Sequence, residues 1–206
     1  MLLILDLYQI ELRALAAFFL GAIPFAWVIV RAFKGVDVRA IGSGNVGATN
    51  ASRAFEGRGA RLGAFLAVYV LDAAKGALAA WMGLVTGLLA GVICGAGGVL
   101  GHCFTPMLGG RGGKGVATAT GALLVLDWRV TVIALGVFFA VRFTTGHVFL
   151  GSLALGVGLA ASAVLLDVPE ALGARLPLTV FTSALALFLV WTHRSNLQHF
   201  LGRDKT

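Results

Sequence analysis

Charge is scarce in this chain. Of 206 residues only 12% are Asp, Glu, Lys or Arg, while 59% are hydrophobic. Ordinary soluble domains carry about 25% charged and about 45–50% apolar residues. A soluble protein of this length has no means of covering so much apolar surface, so a bilayer must solvate its outer faces. Strand-like alternation is also missing. A membrane-spanning barrel would show segments of about ten residues with alternating hydrophobicity, whereas the apolar runs here are continuous. The predicted fold class is all-α, a polytopic transmembrane helical bundle. Cysteine is nearly absent. Cys94 and Cys103 lie in one apolar run, about 13.5 Å apart along a helix axis, which is too far for a disulfide. They read as small packing residues. No positive n-region opens the chain, as a secretory signal would require. Asp6 and Glu11 precede the first long apolar run instead, so an uncleaved first helix is expected. No His/Asp/Glu cluster has metal-ligand spacing, and there is no soluble basic surface of the kind that binds nucleic acid. Neither metal, cofactor nor nucleic acid is expected.

What the chain does have is hydrophobic length. A spanning helix needs roughly 20 apolar residues. The runs predict about seven spans in a single domain, 1–206. They cover Leu12 to Val30, Leu62 to Trp81, Leu84 to Phe104, Val116 to Leu126, Val130 to Phe143, Val148 to Leu166 and Leu178 to Thr192. The fourth and fifth are short. Asp127-Trp128-Arg129 reads as an interfacial anchor, and His193 to Thr206 as a polar tail.

The basic residues are unevenly shared among the loops. Arg31, Lys34, Arg39, Arg53, Arg58 and Arg61 lie in the first loop, Arg111 and Lys114 in the second, and Arg194, Arg203 and Lys205 in the tail. The opposite loops hold only Arg129 and Arg175. About seven spans place every rich segment on one side, and the positive-inside rule makes that side cytoplasmic. The N-terminus is then periplasmic and the C-terminus cytoplasmic.

Two of the basic loops are dense in glycine. Ile41 to Asn50 reads IGSGNVGATN. Gly42, Gly44 and Gly47 match G-x-G-x-x-G, but a dinucleotide site needs a strand before it and a βαβ unit around it, and a membrane helix stands there instead. The surviving physics is general: consecutive N–H groups of a glycine-rich turn form an anion-binding nest. Ser43, Asn45, Thr49 and Asn50 add hydrogen-bonding side chains, and Arg53 adds a bidentate anion fork. A flexible turn would explain the glycines but not this density of uncharged polar groups. Gly109 to Gly115 reads GGRGGKG. A Walker A loop requires a glycine where Leu108 stands and Ser or Thr where Gly115 stands, so the loop does not read as an NTPase site. Gly112, Gly113, Lys114 and Gly115 open a helix at Val116, and a helix N-terminus favours phosphate.

Other polar residues are isolated. Asp72 and Lys75, spaced i, i+3 inside a span, share one helix face and read as an ion pair or as the lining of a polar cavity. His102 and His193 sit at the cytoplasmic ends of the third and seventh spans, with Asn196 one turn after His193. His199 and Asp204 form an H-x-x-x-x-D spacing at the end of the chain, taken as coincidence. Gly83, Gly87, Gly91 and Gly95 form a stripe that reads as close helix packing or as room for an acyl chain.

Three segments taken together, GSGNVGATN at 42–50, GHCFTPMLGGRGGKGVAT at 101–118 and HRSNLQHFLGRDK at 193–205, resemble the signature motifs of the bacterial acyl-phosphate:glycerol-3-phosphate acyltransferases, the PlsY family. AIPFAWVI at 22–29, GVDVRAIG at 35–42 and LDAAKG at 71–76 add lesser matches. The resemblance implies an inner-membrane enzyme of seven spans. It would move a fatty acyl group from acyl phosphate to the sn-1 hydroxyl of glycerol 3-phosphate, giving lysophosphatidic acid and phosphate for phospholipid biosynthesis. No metal or acyl-CoA takes part. The implied catalytic residues are Ser43, Arg53, Lys114 and His193. The implied substrate-binding residues are Asn45, Thr49, Asn50, Gly112, Gly113, Gly115, Ser152 and Asn196. Membrane lipid is the surrounding partner, and the expected state is a monomer. A backbone N–H near Gly113 is the expected oxyanion donor.

The chain departs from the family pattern in places. Thr192 replaces an arginine, Ala22 a serine, Gly110 an aromatic and Phe149 a polar residue, and the proline of the second motif falls one place late, at Pro106. These changes bear on affinity and acyl preference rather than reaction class. The rival readings are an organophosphate anion transporter, which would show internal repeats, and a non-catalytic scaffold. No repeat relates the two halves of the chain.

Overall fold

The computed structural model describes residues 2–202, with side chains from residue 9 onward. The side chain of Asp6 and all of Arg203, Asp204 and Lys205 lie outside the described residues, and so do the H-x-x-x-x-D spacing and the end of the third motif. The described chain is helical and forms two compact units, Met1–Leu126 and Asp127–Thr206.

The first unit contains α1 (Leu2–Gly21), α2 (Phe25–Lys34), the short α3 (Ala48–Ser52), α4 (Arg58–Leu84), α5 (Leu88–Cys103) and α6 (Val116–Leu126), with 3-10 turns at Val38–Ala40 and Pro106–Leu108. Pro24 separates α1 from α2, because proline supplies no N–H and turns the preceding residue away from helix. The break frees the carbonyls of Ala22 and Ile23 within an apolar layer, where an unpaired carbonyl costs several kcal/mol. Both accept from side chains of other helices or their ends, and Ile23 O also accepts from Phe25 N at 3.2 Å. Thr105 Oγ1 donates to Ala22 O at 2.6 Å, and Lys75 Nζ donates to Ile23 O at 2.7 Å.

Helices in this unit approach one another backbone to backbone. A methyl group on Gly76 would strike the backbone of Thr118, and one on Gly121 that of Ala73, which sets the contact of α4 with α6. Gly21 against Gly98 and Gly101 against Phe18 do the same for α1 and α5, and Gly83 against Ala90 for α4 and α5. With lipid outside there is little hydrophobic drive between helices, so dense packing through small residues holds them together. Three glycines of the stripe, Gly83, Gly91 and Gly95, serve this packing, while Gly87 has open space around it and precedes α5 at φ +133°. Gly91 lies against Leu84 and Leu126, and Gly95 against Ala80 and Ala122, so side chains fill the space considered for an acyl chain.

The second unit contains α7 (Trp128–Thr145), α8 (Val148–Leu165), the short α9 (Val168–Ala171), α10 (Leu176–Thr192) and α11 (Arg194–Phe200). Asp127, expected as part of an interfacial anchor, is the N-cap of α7. Its Oδ1 accepts from Arg129 N at 2.9 Å and Val130 N at 3.3 Å, while Arg175 Nη2 reaches Oδ2 at 2.6 Å. Gly158 packs on Ala134 of α7 and Gly156 on Ala186 of α10. Within the polar tail, α11 forms after a bend of 54° from α10.

Among the described residues, five segments are long and apolar enough to cross a membrane: Gln9–Lys34, Arg58–Leu84, Leu88–Leu108, Trp128–Thr145 and Val148–Leu165. The bent pair Leu176–Thr192 with Arg194–Phe200 makes a sixth when taken as one. Val116–Leu126 has 11 residues. At 1.5 Å per residue it measures about 16 Å, roughly half of a 30 Å hydrocarbon core.

Candidate active site

The first motif is a built loop. Beneath it lies a core of Ala26 and Val30 from α2, Val38, Val46, Ala51, Val68 from α4 and Leu108. Asn50, buried at the third position of α3, organises the turn above. Its Oδ1 accepts from Ser43 N at 2.9 Å, and its Nδ2 donates to Val38 O at 2.9 Å and Ile41 O at 3.0 Å. Asn50 was expected to bind substrate, but its amide is occupied in bracing backbone. Gly42 adopts φ +52°, and a Cβ there would meet Asn50 Oδ1 and, at 3.0 Å, the Arg53 guanidinium. Only glycine lets that guanidinium lie over the turn. Ser43, Thr49 and Arg53 are exposed, and Asn45 is half-buried.

A second brace lies at Asp37, which the sequence reading did not single out. Asp37 accepts from Trp27 Nε1 at 3.3 Å, from Arg39 N at 2.8 Å and from Arg39 Nη2 at 2.7 Å. The Arg39 hydrogen bonds outweigh desolvation and hold the Asp37 carboxyl well below the usual carboxylate range. Arg39 Nη1 also donates to Leu108 O at 3.4 Å, tying the first loop to the second. The D-x-R spacing was the available signal.

The second loop folds back over the end of α5. Gly110 N donates to Thr105 O at 2.9 Å, Gly112 N to Cys103 O at 3.0 Å and Gly113 N to His102 O at 3.1 Å. Gly113 N–H, considered as an oxyanion donor, is therefore committed to His102. A methyl on Gly112 would strike the His102 carbonyl oxygen, and one on Gly113 both His102 Nε2 and the Val46 carbonyl, so the two motif loops meet at Gly113. Lys114 follows, half-buried, and Gly115, buried at φ +86°, starts α6 by accepting from Ala119 N at 2.8 Å. Burial pushes the Lys114 ammonium below its ordinary pKa.

In the second unit, His193 is buried at the junction of α10 and α11. Its Nδ1 lies 2.8 Å from Leu189 O. A carbonyl accepts only, so Nδ1 carries a proton, and in the neutral form of the ring Nε2 is the acceptor nitrogen. Thr192 Oγ1, in place of the family's arginine, donates to Leu189 O at 3.2 Å. Ser152 is buried in α8 with its hydroxyl donating to Val148 O at 3.0 Å. Asn196 is half-buried in α11.

A glycine loop ending in a half-buried lysine at a helix start, meeting at Gly113 the loop whose glycine turn carries an arginine over it, suits phosphate. A family model described as glycerol-3-phosphate acyltransferase matches residues 12–203. The chain belongs to the glycerol-3-phosphate acyltransferase family. It is 41% identical over 191 residues to a glycerol-3-phosphate acyltransferase of Jannaschia sp. (strain CCS1), covering 90% of this chain and 86% of that one. It is 40% identical over 181 residues to that of Syntrophomonas wolfei, covering 87% of each. The fold is similar to the crystal structure of PlsY (YgiH), an integral membrane glycerol 3-phosphate acyltransferase, in its glycerol 3-phosphate form. The TM-score is 0.82 at 28% identity, over 95% of this chain and 94% of that one. The lysophosphatidic acid form of PlsY gives 0.81 at 27% identity with the same coverage. The matched span takes in the first two motif segments whole and the third up to Arg203.

Proposed function

We propose that this chain transfers a fatty acyl group from acyl phosphate to the sn-1 hydroxyl of glycerol 3-phosphate, giving lysophosphatidic acid and phosphate. The observation that carries this is Lys114. Its ammonium is held partly out of water at the start of α6, where the helix dipole and the charge together favour a phosphate. A bound phosphate would favour the charged form that burial disfavours.

Acyl phosphate is an activated anhydride, so placement and charge stabilisation are the main requirements. Arg53 and the Ser43–Thr49 turn, with Asn45, hold one phosphate. Lys114 with Gly115 holds the other, and Gly112 and Gly113, whose N–H groups are committed to Cys103 and His102, shape the loop that presents it. The glycerol hydroxyl oxygen attacks the acyl carbonyl carbon. The charge that develops on the carbonyl oxygen is stabilised by Lys114 and the α6 N-terminus, and the carbon–oxygen bond to phosphate then breaks. The hydroxyl proton passes to a phosphate oxygen of the substrate. His193 is the second reading for that proton, favoured by the lone pair on Nε2. Ser152 and Asn196 are assigned to substrate binding, and Asn50 acts through the loop it braces.

We further propose a single-domain monomer of about seven spans in the bacterial inner membrane; the basic loops support a periplasmic N-terminus with the C-terminus and active site cytoplasmic. The family's name supports the enzyme reading over the organophosphate transporter.

The test is protein purified in lipid and supplied with acyl phosphate and glycerol 3-phosphate without metal. Equal formation of phosphate and lysophosphatidic acid, with acyl-CoA inert, is the expected result. Folded protein that forms no product across several chain lengths would overturn the reading. Full activity in Lys114→Ala would sink the phosphate-site assignment.

A further inference from the structure

We propose that His102 is a positioning residue that sets the Gly112–Gly113–Lys114 backbone, with Asp72 and Lys75 anchoring its far edge. The proposal rests on the reading of the Lys114 loop as a phosphate site and extends it to the residues beneath.

Three polar side chains are buried together between α4 and the end of α5: Asp72, Lys75 and His102 are 2%, 3% and 6% exposed. Lys75 Nζ lies 2.8 Å from Asp72 Oδ1, and His102 Nδ1 lies 3.5 Å from the same oxygen. Asp72 and Lys75 form a buried ion pair, and the imidazole faces the same carboxylate oxygen. Charged groups at membrane depth are expensive and mark a task other than packing. Lys75 has one such task, the freed carbonyl of Ile23. Asp72 neutralises Lys75 and faces the imidazole.

The opposite edge of the imidazole accounts for the histidine. Nε2 lies against Gly113 at the point where Gly113 also meets the Val46 carbonyl of the first loop. The backbone carbonyl of His102 accepts from Gly113 N at 3.1 Å. Gly113 is thus held by the carbonyl and the ring of one residue, immediately before Lys114. One imidazole spans from the buried ion pair to the meeting point of both motif loops. A ring that only filled space could be replaced by any group of its volume. One that positions the loop needs a polar edge toward Asp72 and a tip that reaches Gly113.

The experiment uses the full chain in lipid, with His102→Ala, His102→Phe and His102→Gln. Steady-state kinetics is measured beside hydrogen exchange of the Gly112 and Gly113 amides, and exchange along α4 and α6 serves as the folding control. Ala and Phe are expected to lower kcat about tenfold or more while KM for glycerol 3-phosphate moves less than about threefold, since a shift of about 1 Å in a catalytic group has effects of this size. Both should speed exchange at Gly112 and Gly113. Gln, whose amide reaches the Nε2 position, should recover both readouts to within about threefold of wild type. Wild-type kcat and exchange in Phe would reduce His102 to a space-filling residue and overturn the proposal. Gln as impaired as Ala would overturn it too. If the wild-type chain forms no lysophosphatidic acid, the function is wrong, and the exchange readout still decides whether His102 holds the loop.

Discussion

Asn50 accepts a hydrogen bond from Ser43 N at 2.9 Å while its own amide donates to Val38 O and Ile41 O. One side chain closes a turn whose ends lie 12 residues apart. Asn50→Asp keeps the acceptor and replaces the donor by a second acceptor aimed at two carbonyls. Each lost hydrogen bond is worth about 1 kcal/mol, and the new repulsion adds to that. The expected outcome is a lower thermal midpoint and a loss of at least about tenfold in kcat/KM, larger than for Thr49→Ala. Thermal melts and steady-state kinetics on the pair check it.

Two glycines of α4 should answer the same substitution with opposite sign. Gly76 lies against the backbone of Thr118, whereas a Cβ on Gly63 would meet nothing within 4 Å. Gly76→Ala forces two helices apart and should cost about 1–3 kcal/mol. Gly63→Ala should stabilise by about 0.5–1 kcal/mol, because alanine loses less backbone entropy in a helix. Denaturation of the two variants in the same detergent makes the comparison, and equal effects would contradict the α4–α6 contact.

The Asp37 brace predicts acid sensitivity. Arg39 holds the Asp37 carboxyl below its ordinary value of 3.8 in the folded chain. A carboxylate whose pKa is depressed by folding contributes stability above its unfolded value and loses it as pH falls toward the folded one. The wild-type thermal midpoint should therefore drop as pH falls below about 4. Asp37→Asn should be less stable at neutral pH and show a shallower acid slope. Melting both proteins across the acid range measures the difference.

His193 decides the destination of the proton. With the substrate's phosphate oxygen as acceptor, His193→Ala keeps kcat within about threefold and raises KM instead. With His193 Nε2 as acceptor, kcat falls about 10²–10⁴-fold, and the acidic limb of the pH–rate profile changes. Kinetics at saturating glycerol 3-phosphate separates the two.

Much of this protein is written in its hydrophobic runs. The apolar stretches ending near Trp81, Phe104, Leu166 and Thr192 are helices, since a chain in lipid must pair its own backbone groups. The three motif segments likewise pointed to the acyltransferase family, because glycine density beside Arg53 and Lys114 is a local property of the sequence. Span ends were less legible. Apolar composition does not show that α4 begins at Arg58, or that α10 bends into a short α11 within the polar tail.

The sequence by itself determined the solvent, the helical class, the family and the loops that carry the polar chemistry, because each depends on residue types close together in the chain. Tertiary structure decided which of those polar residues face outward and which face the protein. It made Asn50 a brace of the first loop, committed Gly113 N–H to His102, packed Gly91 and Gly95 against side chains, and put His102 between Asp72 and Gly113. Those outcomes depend on how closely α4, α5 and α6 pack and on where a loop folds back over a helix end. They are distances between residues far apart in sequence, which no local pattern encodes.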